Sequence, residues 1–364
     1  MGCQRRCLQR GDALVPLHVV AIGTGGGAFH TIRSGPPTPG WTTWVSLPPL
    51  PAPVDRIDSA LVAGELHVCA ATAAGTLLHT FRNTAGTWQS FWGDAGNAAG
   101  LPSATFEFRY IGMAGVGTTL HVCSTANRRR AGGGLMPAFV WPIFHATRST
   151  GVGATWTSPF TEVNPGQFPA PSTVFTEVSC ANVAGTVHLC ALGFFGNELW
   201  HTIQLSPPPT ESWQPYNNVK LAHTNSPGSV GTVSVKGLGS NLHVCVVSAG
   251  GIFHTIRMSV PPSWQNPEGS GSATWGNVTA EVPGLTLGSQ NFVDCAAADG
   301  NLHVCCLTAS GVLFHTIRTS TPPPSWQNPE GSGSATWGNV GAVVGALPGG
   351  TNPAPFSLVT TAGA

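Results

Sequence analysis

Histidine and cysteine recur together along the chain, and both are zinc ligands when they converge on one site. In the clearest copy, residues 242–257, Leu-His-Val-Cys is followed by a glycine-centred turn and by Phe-His-Thr-Ile-Arg. Strand alternation puts His243 and Cys245 on one face, and the hairpin sets Cys245 opposite His254. The set recurs six times, but Val20 replaces the cysteine in the first copy. We therefore expect no metal site, and histidines that are hydrogen-bonded to backbone carbonyls between neighbouring repeats.

An arginine ends the second strand of most of these hairpins. Five of the fifteen basic residues hold this position, and Gln204 holds it in the fourth copy. The five are Arg33, Arg82, Arg148, Arg257 and Arg318. A guanidinium there could cap loop carbonyls at the edge of a sheet, or it could present a fork of donors to a polar ligand between sheets. The residues alone favour neither alternative.

Tryptophan is frequent, with twelve residues against two tyrosines, and a tryptophan-bearing segment follows each hairpin. We place one set in an outer strand: Trp44, Trp92, Trp156, Trp275 and Trp337. A second set begins the segment: Trp88, Trp213, Trp264 and Trp326. Large aromatic side chains can staple neighbouring sheets together, and an exposed indole also suits the C–H face of a sugar ring. Repetition favours weak sites used together, because linked sites gain avidity without new contacts.

The carboxylates argue against hydrolysis. A glycoside hydrolase needs a close carboxylate pair, or a tyrosine nucleophile in the sialidase manner. The fifteen acids are scattered, and only Glu268 and Glu330 hold matching positions, within identical stretches at 261–278 and 323–340. A radial array should hold these two loops apart. We expect no catalysis, and a glycoside hydrolase or sialidase-like enzyme is the weaker alternative.

A hairpin repeated six times carries all these residues. Its first strands begin at Leu17, Leu66, Leu120, Val187, Leu242 and Leu302. Strand-type repeats of this length predict a β-propeller. A further strand precedes each later hairpin, at 54–62, 108–115, 175–184, 231–239 and 292–298. With the outer strand, each blade then has four strands.

The first hairpin lacks a preceding strand, and residues 356–361 supply a spare one. We therefore predict an all-β protein with six four-stranded blades, the first closed by the C-terminal strand; seven blades is the alternative. Closure removes exposed sheet edges. Residues 1–16 are expected to form a tail, and 17–364 a single propeller domain. The predicted blades span 17–46 with 356–364, 54–94, 106–164, 174–219, 230–278 and 290–340.

Composition limits the partners and the location. Fifteen basic residues balance fifteen acidic ones, so the chain lacks the basic footprint that nucleic acid requires. No stretch approaches the roughly 18 apolar residues of a membrane helix, and we expect no membrane insertion. The N-terminus has no apolar region of secretory length, which predicts a protein that is cytoplasmic or released by a non-classical route. The ten cysteines are expected to be buried, reduced thiols.

The repeated motifs together resemble a known family. Leu-His-Val-Cys, then Gly-x-[Leu/Phe]-[Phe/Trp]-His-Thr-Ile-Arg, then Trp-Gly-[Asp/Asn]-Val is similar to the repeat of the bacterial PLL-type β-propeller lectins. Those proteins are in turn similar to tectonin-type and fungal fucose lectins. The likeness covers about residues 17–361, and it implies binding of fucose-type or O-methylated sugars between blades. Members of that family have seven blades, whereas this chain has six hairpins.

We interpret the chain as a multivalent carbohydrate-binding lectin without catalysis, metal or cofactor. Its expected partners are glycans or glycoconjugates, and a homo-oligomeric state is left open. The expected sites combine the five arginines with Trp44, Trp92, Trp156, Trp275 and Trp337. The alternative is a propeller that serves as a structural or protein-interaction scaffold.

Overall fold

Six antiparallel sheets form the blades of a β-propeller in the computed structural model of the chain. The structure describes residues 16–34, 40–129, 141–151, 153–164, 174–194, 198–267, 272–287, 291–308, 310–320, 324–329, 334–345, 347–348 and 356–360. Over these ranges the strands of each sheet are ordered outward from one innermost strand. The prediction of six blades is confirmed, and the alternative of seven is wrong.

Each blade has the same four positions from the axis outward. In the order of blades 1 to 6, the innermost strands are Phe356–Thr360, Val54–Val62, Phe106–Val116, Phe175–Val183, Val230–Leu238 and Phe292–Ala298. The second strands are Leu17–Ile22, Glu65–Thr72, Thr119–Arg128, Thr186–Gly193, Asn241–Ser248 and Asn301–Leu307. The third strands are Ala28–Ser34, Leu77–Arg82, Ile143–Ser149, Leu199–Ser206, Gly251–Ser259 and Leu313–Arg318. The outer position holds short pieces: Gly40–Trp41 with Val45–Ser46, Gly93–Asp94, Thr161–Glu162, Ser212–Trp213 with Asn217–Asn218, Pro262–Gln265 with Gly276–Asn277, and Trp326–Gln327 with Gly338–Asn339.

One pairing register holds in all six hairpins. The cysteine position of the second strand lies opposite the histidine of the third strand: Val20↔His30, Cys69↔His79, Cys123↔His145, Cys190↔His201, Cys245↔His254 and Cys305↔His315. The turns differ in length, so the sequence left room for a shifted register in some blades. None of the six is shifted, because a slip of one residue would turn every buried side chain to the other face.

Both ends of the chain build blade 1. Phe356–Thr360 pairs antiparallel with the second strand of this blade. The innermost strands of neighbouring blades also contact each other in an unbroken ring. Leu358 N donates to Asp294 Oδ2 of blade 6 at 2.6 Å, and Ser357 Oγ donates to Asp58 Oδ1 of blade 2 at 2.7 Å. The predicted closure by the C-terminal strand is therefore confirmed.

The hydrophobic core consists of six clusters, and each cluster joins two neighbouring blades. Second strands contribute most, since every residue of Leu17–Ile22 is buried. Between blades 2 and 3, Leu77 packs in one cluster with Phe108 and Phe160, whose ring centroids lie 5.4 Å apart. Each blade thus covers the apolar face of the next, and removal of this surface from water drives the blades together.

Three short helices explain part of the repeated Trp-Gly-[Asp/Asn]-Val motif. They span Ala95–Ala98, Val278–Glu281 and Val340–Val344, and a 3-10 turn spans Lys220–Ala222. The side chains of Asp94, Asn277 and Asn339 each accept a hydrogen bond from the N–H of the third helical residue. The Asp or Asn of the motif is therefore an N-cap. No helix in the described ranges has the length and apolarity to cross a membrane.

Eight cysteines lie in the described residues, and all eight are buried free thiols. The prediction is confirmed for these positions, whereas Cys3 and Cys7 lie outside the described residues. Burial raises the pKa of Cys306 to about 12, and it also raises the pKa of Cys69. A thiol with so high a pKa forms little thiolate and reacts slowly. The reducing compartment stays a prediction.

Candidate functional site: the clefts between blades

The two histidines of each hairpin bond to each other. In blade 5, His243 Nδ1 lies 3.0 Å from His254 Nε2, and the rings stack with centroids 5.1 Å apart. The same contact, at 2.9 to 3.1 Å, joins His18–His30, His67–His79, His121–His145, His188–His201 and His303–His315. The expectation of backbone carbonyl partners is wrong, because the two rings lie diagonally on one face of the hairpin and reach each other first.

Burial keeps ten of these twelve histidines uncharged near neutral pH. Burial, and to a smaller extent Arg318 of the next blade, lowers the pKa of His243 to about 3. Burial followed by Arg82 lowers the pKa of His18 to about 4. Within the described part of the chain, no group of three or more His, Cys, Asp or Glu side chains is arranged to hold a metal ion.

Each histidine pair faces a tryptophan of the following blade. The third-strand histidine and the indole meet edge to face, with ring centroids 5.4 to 6.1 Å apart and planes 75 to 86° apart. The pairs are His30–Trp88, His79–Trp156, His145–Trp213, His201–Trp264, His254–Trp326 and His315–Trp41. We name the six spaces by their two blades, from cleft 1/2 to cleft 6/1.

The arginine position and this tryptophan are cross-strand partners within one blade. The partners are Arg33↔Trp41, Arg82↔Trp88, Arg148↔Trp156, Gln204↔Trp213, Arg257↔Trp264 and Arg318↔Trp326. Directly opposed residues of an antiparallel pair project from the same face. Each cleft therefore has two histidines on one wall, and an indole with an arginine (Gln204 in cleft 3/4) on the other.

Three of the five arginines are buried and bound to carbonyl groups. Arg33, Arg148 and Arg318 are only 7%, 9% and 5% exposed. Nη2 of Arg33 donates to Pro329 O at 3.0 Å, and Nη2 of Arg318 donates to Pro267 O. The two prolines hold the same place in the duplicated stretch, so one loop sequence caps the arginine of the following blade twice. Arg148 donates to Ser149 O at the end of its own strand, at 3.0 Å, and to Ala154 O in the loop that follows, at 3.3 Å. At these positions the capping alternative fits.

The other two arginines are more open. Arg82 and Arg257 are partly exposed, and neither has a hydrogen-bond partner among the described residues. Their cross-strand partners, Trp88 and Trp264, are partly exposed as well. Clefts 1/2 and 4/5 therefore each offer an indole and an unengaged guanidinium side by side. The two clefts lie half a turn apart around the axis.

The structure divides the predicted tryptophans into two groups. Trp156 lies opposite Arg148 and faces the histidines of blade 2. Trp92, Trp275 and Trp337 are 8%, 3% and 5% exposed and belong to the hydrophobic clusters. Trp44 packs against the cluster between blades 6 and 1. These four are not cross-strand partners of the arginines.

Trp156 apart, the tryptophans that stand opposite the arginine position were not assigned to the sites by sequence. They are Trp41, Trp88, Trp213, Trp264 and Trp326. A usable signal was present, because the first tryptophan follows the arginine position by six to nine residues in every blade. Such a short return favours a hairpin in which the two are opposed. The histidine pairs were expected at the blade interface, but only as structural residues.

Cleft 3/4 differs from the other five. Gln204 takes the arginine position and is 8% exposed, and Glu211 adds a carboxylate two residues before Trp213. A cavity of about 790 Å³ lies in this cleft, lined by residues of both blades that include His121, Gln204 and Glu211. Cleft 3/4, which has no arginine at this position, therefore contains a large cavity.

Carboxylates near the axis join the innermost strands. Asp58 accepts hydrogen bonds of 2.7 Å from Ser59 N, Met113 N and Ser357 Oγ. Burial, then the nearby Asp294, raises the pKa of Asp58 to about 7. The cavity around these groups measures about 50 Å³, which is too small for a hexose. This carboxylate pair is engaged in holding the ring together.

Solved structures contain the same fold. The chain is similar to a mutant of the Aleuria aurantia lectin in complex with Fucα1-6GlcNAc, with a TM-score of 0.54 and 12% identity over 92% of this chain and 93% of that chain. It is also similar to a lectin from Burkholderia pseudomallei, with a TM-score of 0.50 and 14% identity over 86% of this chain and 94% of that one. This chain shares the β-propeller fold of these lectins. At such identities the likeness concerns the fold alone.

A Trypanosoma rangeli sialidase also matches, with a TM-score of 0.45 and 10% identity over 76% of this chain and 48% of that chain. This chain spans about half the length of the sialidase, and so weak a likeness supports no inference about activity. No protein-family model and no curated protein matches the sequence.

Proposed function

We propose that the chain is a multivalent carbohydrate-binding protein without catalysis. Following the resemblance to PLL-type lectins, its ligands are fucose-type or O-methylated sugars bound between blades. The observation that supports this most is the pairing of a guanidinium with an indole in one cleft after another. A sugar ring needs both groups, because the guanidinium supplies directed donors for hydroxyl or ring oxygens and the indole covers the apolar C–H face.

Clefts 1/2 and 4/5 are the ones in which a ligand finds these groups open. Arg82 and Arg257 are partly exposed, as are Trp88 and Trp264. A ligand there would not have to displace a carbonyl from the guanidinium. In clefts 5/6 and 6/1 it would compete with Pro267 O and Pro329 O for the arginine. We therefore assign the strongest binding to clefts 1/2 and 4/5.

A glycan array with immobilised ligands at high density tests this function. The wild-type chain should bind fucosylated or O-methylated glycans. The double variant Arg82→Ala/Arg257→Ala should bind the dense surface at least about tenfold more weakly, because each site loses charge-assisted hydrogen bonds and the loss is multiplied through avidity. Binding of a free monosaccharide should fall less. Arg128→Ala is the matched control, since Arg128 is an exposed arginine at a strand end.

Each outcome separates the alternatives. A wild-type chain that gives no signal on any glycan would favour the structural or protein-interaction scaffold. Hydrolysis of a bound glycan would favour the sialidase-like alternative. A double variant that binds the dense surface as well as the wild type would show that Arg82 and Arg257 have no part in the sites.

A further inference from the structure

Several hydroxyl groups line one part of the cavity in cleft 3/4. Thr147, Thr157, Ser158 and Thr161 all line this space of about 790 Å³. Thr147 Oγ1 lies 3.0 Å from Thr157 Oγ1 and 2.9 Å from Ser158 Oγ, so the three hydroxyls form one network. Each hydroxyl oxygen has two lone pairs, and the network uses only part of this capacity. A ligand rich in donors would find partners here.

Glu211 gives the same cleft a negative charge. Its Oε1 accepts from Trp213 Nε1 at 2.6 Å and lies 2.5 Å from His145 Nδ1, and its Oε2 accepts from Thr161 Oγ1 at 2.6 Å. Gln204 Nε2 donates to Oε1 at 3.3 Å. Burial opposes ionisation, but the hydrogen bond and charge attraction of His145, with hydrogen bonds from Thr161 and Trp213, outweigh burial and hold the pKa of Glu211 below its ordinary value. Among the described residues, no lysine or arginine forms an ion pair with this carboxylate.

We propose that cleft 3/4 binds glycans that carry a free ammonium group, of the deacetylated hexosamine class. This rests on the proposed function, because it takes the clefts to be sugar sites. An ammonium group brings three donors and a positive charge, which complement hydroxyl oxygens and a carboxylate that forms no ion pair with a lysine or arginine of the described residues. In the other five clefts a guanidinium occupies the position of Gln204 and repels such a group. The protein thus has two kinds of site with opposite charge preference.

Isothermal titration of the full chain at pH 6.5 tests this with two probes, fully deacetylated and fully N-acetylated glucosamine oligomers of equal length. The wild type should bind the deacetylated oligomer at least about tenfold more tightly, as a charge-assisted contact predicts. Gln204→Arg should abolish the preference, because it sets a guanidinium beside Glu211. Five blades carry arginine at this position, so this variant should fold. Glu211→Gln should give the same loss by removing the charge.

Equal binding of the two oligomers by the wild type, or a preference that survives in folded Gln204→Arg, would overturn the proposal. A thermal melt establishes that the variants are folded, and if Glu211→Gln unfolds, Gln204→Arg alone decides. Arg128→Ala should keep the preference. The neutral glycan array is measured on the same samples. Binding of neutral glycans without binding of the ammonium oligomer defeats this proposal alone, whereas binding of neither defeats the proposed function with it.

Discussion

Mild acid should destabilise this protein, because its fold buries histidines that must stay neutral. In ten of the twelve paired histidines burial is the main cause of a lowered pKa, for example to about 4 at His188 and about 3 at His67. The unfolded chain takes up these protons near pH 6.5. Because folding lowers the pKa of these histidines, their contribution to the free energy of unfolding has its full value only above about pH 6.5. It falls as the pH decreases towards 3 to 4.

The size of the loss follows from the number of pairs. At pH 5.5, one unit below the ordinary pKa, each histidine that stays neutral in the fold costs about 1.4 kcal/mol. If only one histidine counts in each of the six pairs, the free energy of unfolding falls by about 8 kcal/mol. That is a large share of the roughly 5–15 kcal/mol that stabilises a typical protein.

The axial carboxyls act in the opposite direction over a higher range of pH. Burial, then Asp294, raises the pKa of Asp58 to about 7, and burial raises the pKa of Glu177 to about 8. These groups take up protons in the folded state first, so their own contribution to the free energy of unfolding rises as the pH falls from about 8 to 6.5. Below pH 6.5 the histidines outnumber them. Stability should therefore be greatest near pH 7, where the folded and unfolded states bind equal numbers of protons.

Urea unfolding followed by tryptophan fluorescence at pH 8, 6.5 and 5.5 measures this profile. The free energy of unfolding should be similar at pH 8 and 6.5, because the carboxyl and histidine effects nearly cancel there, and should fall by several kcal/mol at pH 5.5. A folded His243→Gln/His254→Gln variant should lose about 1 kcal/mol less between pH 6.5 and 5.5, counting one histidine of the pair, because that pair no longer titrates. Equal stability of the wild type at pH 6.5 and 5.5 would refute the reasoning, since the buried pairs would then accept protons as readily as the unfolded chain.

Three further outcomes are expected. Deletion of residues 355–364 should lower the melting temperature by several degrees, because it removes the innermost strand of blade 1; an unchanged melt would contradict closure. The eight buried thiols should resist labelling in the native state and react after unreduced denaturation, and recovery of fewer than half of them would indicate disulfides. Arg318→Ala should destabilise the fold by about 1–3 kcal/mol, because it removes a buried, hydrogen-bonded guanidinium. Arg82→Ala should change stability little. Equal effects of the two substitutions in urea unfolding would contradict this difference between the two guanidinium groups.

The fold was largely accessible from sequence because periodicity encodes it. Alternation fixed the face on which His243 and Cys245 lie, and the orphan strand at the C-terminus indicated how the ring closes. The single register also follows from the apolar pattern, since only one pairing buries that pattern in every blade. Turn lengths varied without consequence, because turns lie outside the paired strands.

Which clefts have an unoccupied arginine could not be predicted from the sequence. This depends on the path of loops that differ from blade to blade. Nothing in a strand pattern indicates that Pro267 O and Pro329 O take up two of the guanidinium groups, which requires the path of a loop in the neighbouring blade. The sequence shows Gln204 in place of the arginine in blade 4, but it does not show that cleft 3/4 contains a cavity of about 790 Å³. The size of the cavity depends on how two neighbouring blades pack against each other, and the sequence of one repeat does not determine that packing.

Pro267 O and Pro329 O each bind an arginine of the following blade. Such a contact between successive repeats bears on how a propeller can gain blades by duplication. Between blades 5 and 6 and between blades 6 and 1, one blade supplies the proline carbonyl and the next supplies the arginine, as in the head-to-tail contacts of a cyclic assembly. A tandem copy of a repeat that has both groups can therefore form the same carbonyl–arginine contact with the original repeat. The identical stretches at 261–278 and 323–340 are such a copy, and both present the same proline carbonyl to the blade that follows. This contact does not itself determine the number of repeats. The ring ends where Phe356–Thr360 returns to blade 1 and pairs with its second strand.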